Sequence, residues 1–214
     1  ACAPFRRLHL CDYNLEKMNS TKIKDKNVLL AEVCMAAKYE GNSINTHYTI
    51  HQEKYKDTGT ASQLCTVLAR SFADIGDIVR GRDLYLGNPQ ESAQRKQLDE
   101  NLKTIFKNIY EKLLEDNKTN GAEARYKDDG GDFFQLREDW WNANRKEIWK
   151  AITCHARDND KYFRNTCNGG EQTKDYCRCD DKSKGGKPGK NETDQVPTYF
   201  DYVPQYLRWF EEWA

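Results

Sequence analysis

Ser62–Gly87, SQLCTVLARSFADIGDIVRGRDLYLG, is the stretch whose reading decides the fold. Its apolar residues Leu64, Val67, Leu68, Phe72, Ile75, Ile78 and Val79 recur at i, i+3, i+4 and i+7, the period of one helical face, with no proline to interrupt them. The other face carries Arg70, Asp74, Asp77 and Arg80, opposite charges three or four residues apart. Such pairs contribute only about 0.2–0.5 kcal/mol each on an exposed helix, so the apolar stripe governs the placement. Glycine costs roughly 1 kcal/mol against alanine inside a helix, so Gly76 or Gly81 should weaken or end it. The stretch predicts a central scaffold helix with Cys65 on or beside its apolar stripe. At 1.5 Å per residue it would form a strut of ~37 Å.

Further helices follow on either side. Asn27 is the expected N-cap of a helix carrying Leu29, Leu30, Val33, Cys34 and Ala37 and stopped by Gly41. Residues 42–60 are polar and tyrosine-rich and read as loops around a short helix. After the Asn88-Pro89 turn signal, Leu98, Leu102, Ile105, Phe106, Ile109 and Leu113 mark a helix over about 91–117. Asp132 is the expected N-cap of another, running to about His155, with Trp140, Trp141 and Trp149 assigned to packing rather than to a stacking platform. Past Pro204 a last helix puts Val203, Tyr206, Leu207 and Phe210 on one face, with Trp213 following. No segment alternates with the period of a strand. The fold class is all-α, a bundle of long helices with loops stapled by disulfides.

Hydrophobic residues make up 37% of the 214, charged residues 32% and aromatic residues 12%, so the surface is highly charged and aromatics supply much of the core. That content excludes disorder for most of the chain. Lysine plus arginine balance aspartate plus glutamate at 34 each, which removes a general nucleic-acid footprint and leaves only local basic patches. No apolar run approaches the ~18 residues of a membrane span, and no direct membrane contact is expected. The start ACAPFRRLHLC and the end RWFEEWA read as cut edges, so the expectation is a fragment.

Cysteines stand at 2, 11, 34, 65, 154, 167, 177 and 179. An even count with a dense late cluster favours disulfides, with 105 connectivities open for eight cysteines. The bridging candidates are Cys34, Cys65, Cys154, Cys167, Cys177 and Cys179. A zinc site from the late cysteines and His155 fits standard ligand spacing poorly. His47 and His51 lack the glutamate that a catalytic zinc helix needs after its first histidine, where Tyr48 stands. No metal or cofactor is expected. Cys154-His155 has no third orienting group nearby in sequence, so an enzyme is not expected either. KSKGGKPGK (182–190) lacks the phosphate-loop pattern and reads as a basic surface loop. Two patches could meet sulfates or carboxylates: Arg6, Arg7, Lys22, Lys24 and Lys26 in one, Lys182, Lys184, Lys187 and Lys190 in the other. The bland reading of both is a solvated surface.

CAPFRRLHLCDYNLE (2–16), AEVCMAAKYEG (31–41), LCTVLARSFADIGDIVRGRDLYLG (64–87), REDWWNANRKEIWKAITC (137–154) and DYVPQYLRWFEEWA (201–214) together resemble the ordered blocks of a Duffy-binding-like domain. They are most similar to the alpha class at the head of Plasmodium falciparum erythrocyte membrane protein 1. The resemblance spans nearly the whole chain, broken at 42–60, 117–132 and 157–196. It implies a helical, cysteine-rich, non-enzymatic adhesin module on the infected red-cell surface, anchored by a downstream transmembrane segment. Its implied partners are a host receptor or sulfated glycan, neighbouring adhesin domains and antibodies, in cytoadhesion or rosetting. The alternative it leaves is a scaffold displaying variable loops while neighbouring domains bind. It further implies that 1–40 closes a first subdomain, that 41–214 forms a helical second one, and that Cys2 and Cys11 lack their usual partners here.

Overall fold

The computed structural model describes residues 2–54, 63–116, 121–126, 129–158, 160–167, 170–173, 175–179 and 196–213, and of 49–54 the backbone only. In chain order the helices are α1 (Phe5–Leu8), α2 (Tyr13–Glu16), α3 (Lys26–Lys54), α4 (Leu64–Arg80), α5 (Pro89–Asp116), α6 (Ala122–Tyr126), α7 (Phe134–Ile152) and α8 (Gln205–Trp213). Short 3-10 turns lie at Gly130–Asp132, Asp175–Cys177 and Phe200–Tyr202. Among the described residues the only extended pairing is one bridge between Cys167 and Glu171. The all-α expectation holds.

α4 is the buried centre of the bundle, but it is shorter than the expected strut: 17 residues, or ~25 Å. Gly81 ends it in the left-handed conformation, φ 71°. Its N–H reaches the Ile78 carbonyl and that of Arg82 reaches Asp77, the paired bonds of a Schellman motif. Gly76 stays inside the helix for a packing reason. A Cβ there would stand 2.7 Å from Cζ2 of Trp141. That ring packs on Phe72 at 5.0 Å between centroids, and Trp149 meets Phe72 edge-on at 5.2 Å. All three tryptophans of α7 are buried, as the packing assignment requires.

Gly41 does not stop α3, which runs on through residues expected to be loop. The glycine marks a helix crossing instead. A Cβ at Gly41 would lie 2.0 Å from the Ile152 carbonyl oxygen, so the backbones of α3 and α7 touch where a side chain is missing. The two helices run in the same direction, since the Trp140 indole donates to the Lys26 carbonyl at their other end (3.4 Å). Two predicted caps are also displaced. Asp25, not Asn27, caps α3, accepting from its second N–H (Asn27 N to Oδ1, 2.7 Å). Asp129, not Asp132, receives Gln135 N and Leu136 N at 2.7 and 2.9 Å. α5 opens with a complete capping box: Asn88 Oδ1 takes Gln90 N and Glu91 N, Glu91 Oε2 returns to Asn88 N, and Pro89 fills the first turn.

α8 turns the face that carries its apolar residues outward. Val203, Tyr206, Leu207, Phe210 and Trp213 are exposed, and the helix buries Gln205, Arg208 and Trp209 instead. The reason is electrostatic: Arg208 reaches two carboxylates inside α4.

Candidate functional site

Asp74 and Asp77 lie almost one turn apart on α4, both buried. The Arg208 guanidinium donates to Asp74 Oδ1 at 2.7 Å and to Asp77, and its other nitrogen reaches the Val203 carbonyl at 2.6 Å. Gln205 bridges Asp74 Oδ1 and Asp83 Oδ1, 3.1 and 2.8 Å away. Burial is the largest influence on both carboxyls and pushes each upward. For Asp74 the guanidinium groups of Arg6 and Arg208 outweigh it, and its pKa is lowered. For Asp77 burial wins over Arg208 and Arg80, raising the carboxyl to about 6.

This network corrects the first basic patch. Arg6 Nη1 pairs with Asp74 Oδ2 at 2.8 Å, and its other two nitrogens grip Glu212 at 3.0 and 2.9 Å. Arg7 is fully buried, pairs with Asp83 and stacks over Tyr85, 4.7 Å from the ring centre. Both are engaged by carboxylates that a sequence pattern does not bring to residues 6 and 7: Asp74 of α4 and Glu212 of α8 for Arg6, and Asp83 just past α4 for Arg7. Lys22, Lys24 and Lys26 are exposed and form no ion pair with a described residue. Lys182, Lys184, Lys187 and Lys190 lie outside the described residues. The sequence reading missed Lys17 and Tyr13, which join the surviving lysines: Lys17 Nζ sits 5.4 Å above the exposed Tyr13 ring. Their i, i+4 spacing in a helical turn was the available signal.

The disulfides are Cys65–Cys177 and Cys167–Cys179, so four of the six candidates are bridged. Cys34 and Cys154 are free, as are Cys2 and Cys11. Cys34 feels the charge of Glu147 on α7. Gly41 meets Ile152, close to Cys154 in the chain, and Cys34 stands seven residues back along α3, ~10 Å along the axis, beyond the ~7 Å between Cα atoms that a bridge tolerates. Burial, with Glu40 adding to it, pushes the Cys11 thiol up to about 11; burial and Glu147 do the same for Cys34.

Chemically, these groups favour binding. Cys154 and His155 are both exposed. Among the described residues no cluster of three or more His, Cys, Asp or Glu side chains could hold a metal ion, and no helix is long and apolar enough to cross a membrane. His47 is exposed, and the side chain of His51 lies outside the described residues.

The family model described as the Duffy binding domain matches residues 1–208. Over 213 residues the chain is 20% identical to the Duffy receptor gamma form of Plasmodium knowlesi, covering all of this chain and 15% of that protein. It is 41% identical, with a TM-score of 0.72, to the crystal structure of the NTS-DBL1(alpha-1) domain of Plasmodium falciparum membrane protein 1 (PfEMP1) from the varO strain, covering 100% of this chain and 43% of that one. A PfEMP1 DBLb domain bound to human ICAM-1 is 30% identical with a TM-score of 0.61, covering 97% and 38%. The chain thus spans less than half of each of these relatives.

Proposed function

The chain belongs to the Duffy binding domain family, whose members are adhesin domains and not enzymes, and from that premise we propose that it is a host-receptor-binding module whose recognition face is the lysine-rich surface of residues 17–26. The observation that carries this reading is the contrast between the arginines and the lysines. Arg6, Arg7, Arg80 and Arg208 are committed to internal carboxylates, whereas Lys22, Lys24 and Lys26 are exposed and form no ion pair with a described residue, Lys26 meeting only the field of the neighbouring Asp25. Unpaired ammonium groups beside an exposed tyrosine suit a ligand with sulfate or carboxylate groups on an apolar ring, such as a sulfated glycan. A relative's complex with ICAM-1 supports a host-receptor role for the fold. Placement on the infected erythrocyte surface, with cytoadhesion or rosetting as outcome, belongs to this same proposal. So does a division into 1–40 and 41–214.

Fluorescently labelled protein incubated with erythrocytes tests it. Binding should fall with heparin competition and with enzymatic removal of surface glycans. Binding indifferent to both would leave the fold as a scaffold whose neighbours do the recognising.

A further inference from the structure

We propose that the outward face of α3 is a docking surface for an acidic amphipathic helix of a protein partner. At about 100° per residue, Val28, Glu32, Met35 and Tyr39 fall within ~40° of one line along the helix. Leu29, Val33, Ala36 and Ala37 occupy the opposite side and are wholly buried. The outward line is nonetheless apolar: Val28 is 44% exposed, Met35 43% and Tyr39 54%, with Ala31 exposed beside them. It extends ~16 Å, about three turns. At its N-terminal end Tyr13, Lys17, Met18, Lys22, Ile23 and Val28 line a groove of about 440 Å³, room for a bulky side chain inserted from above.

Two features choose the occupant. Apolar residues at i, i+7 and i+11, with Glu32 between them held by Asn14, form a ridge that packs against the grooves of another helix, and methionine lets such a contact adapt to its partner. The rim is basic: Lys17 and Lys22 line the groove, exposed Lys24 follows Ile23 in the chain and exposed Lys38 lies further along α3, none in an ion pair with a described residue. The nearby acidic groups are already engaged. Glu32 accepts a bond from Asn14 at 3.3 Å, and Asp25 pairs with Lys112. A helix with leucines on one face and glutamates on its flanks complements both features. This goes beyond the glycan reading, since Met35 and Tyr39 have no role there.

The test uses a fluorescein-labelled synthetic helix of about eighteen residues (~27 Å) with a leucine line and glutamate flanks, followed by anisotropy. The chain should bind it. Met35→Glu should weaken binding about tenfold or more, with helix content unchanged by circular dichroism. Tyr39→Ser should weaken it several-fold, as should raising the salt across the range that screens surface charge. No binding, equal binding by Met35→Glu, or equal binding of a lysine-flanked helix would each overturn the inference. So would self-association through this face, seen by sedimentation, that excludes the peptide. Erythrocyte binding separates the two readings: Met35→Glu leaves the lysines intact, so a failed helix titration with heparin-sensitive cell binding removes only this proposal. The converse removes only the glycan reading.

Discussion

Replacing Arg208 by methionine isolates what holds α8 on the bundle. The side chain is 2% exposed, and its guanidinium touches both Asp74 and Asp77. Methionine keeps much of the volume and removes the charge. Taking one partner from a buried ion pair costs about 3–5 kcal/mol. Here each carboxylate keeps another cation, Arg6 for Asp74 and Arg80 for Asp77, so we expect the lower end, about 3 kcal/mol at pH 8. Urea unfolding without reductant, read by tryptophan fluorescence, should then shift its midpoint down by roughly 1.5 M at a slope of about 2 kcal/mol per molar. Acid should shrink the deficit. Asp77 is raised by burial to about 6 from an ordinary 3.8. A carboxyl raised on folding adds stability as pH falls through its folded value and withdraws it as pH rises. Without Arg208 it climbs further, so the loss at pH 5.5 should be smaller than at pH 8 by about 1 kcal/mol for each unit of climb. An unchanged midpoint, or a deficit that grows on acidification, would refute the assignment.

Three further outcomes follow from the packing and the cysteines. Gly41→Ala should destabilise by about 1–3 kcal/mol through overpacking, although alanine is the better helix former by ~1 kcal/mol; Gly131→Ala, where a Cβ meets nothing within 4 Å, should be nearly neutral in the same urea titration. Alkylation of the native chain at pH 8, followed by mass spectrometry, should label exposed Cys2 and Cys154 first. Cys11 and Cys34, with thiols pushed up to about 11, should follow slowly, while Cys65, Cys167, Cys177 and Cys179 stay protected. Converting Cys65 and Cys177 to alanine should cost more than converting Cys167 and Cys179. Their sequence separations are 112 and 12 residues, and loop-closure entropy gives about 5 against about 3 kcal/mol; equal losses would contradict that account.

The long helices were legible because their apolar periods are strong. α4, α5 and α7 sit where Leu64–Val79, Leu98–Leu113 and the tryptophan-bearing stretch put them. The glycines were ambiguous, since the same residue type ends a helix at Gly81 by its positive φ and permits a helix crossing at Gly41. Only the neighbour tells these apart, and Ile152 lies more than a hundred residues from Gly41. α8 shows the same dependence on distant residues. Its period correctly marks a helix, but the face that turns inward is set by Asp74 and Asp77, about 130 residues earlier. The candidate site divided along the same line. Arg6 and Arg7 look identical to free surface cations until their distant carboxylates are placed, whereas Lys22, Lys24 and Lys26 have no such partners among the described residues.

The functional claim rests on those lysines, and binding to erythrocytes by a Lys22→Ala/Lys24→Ala/Lys26→Ala variant addresses it directly. All three side chains are exposed, so the variant should keep the urea midpoint of the parent chain. The account predicts that its cell binding drops about tenfold or more and loses most of its dependence on salt. Cell binding equal to the parent's, with the same salt dependence, would contradict it.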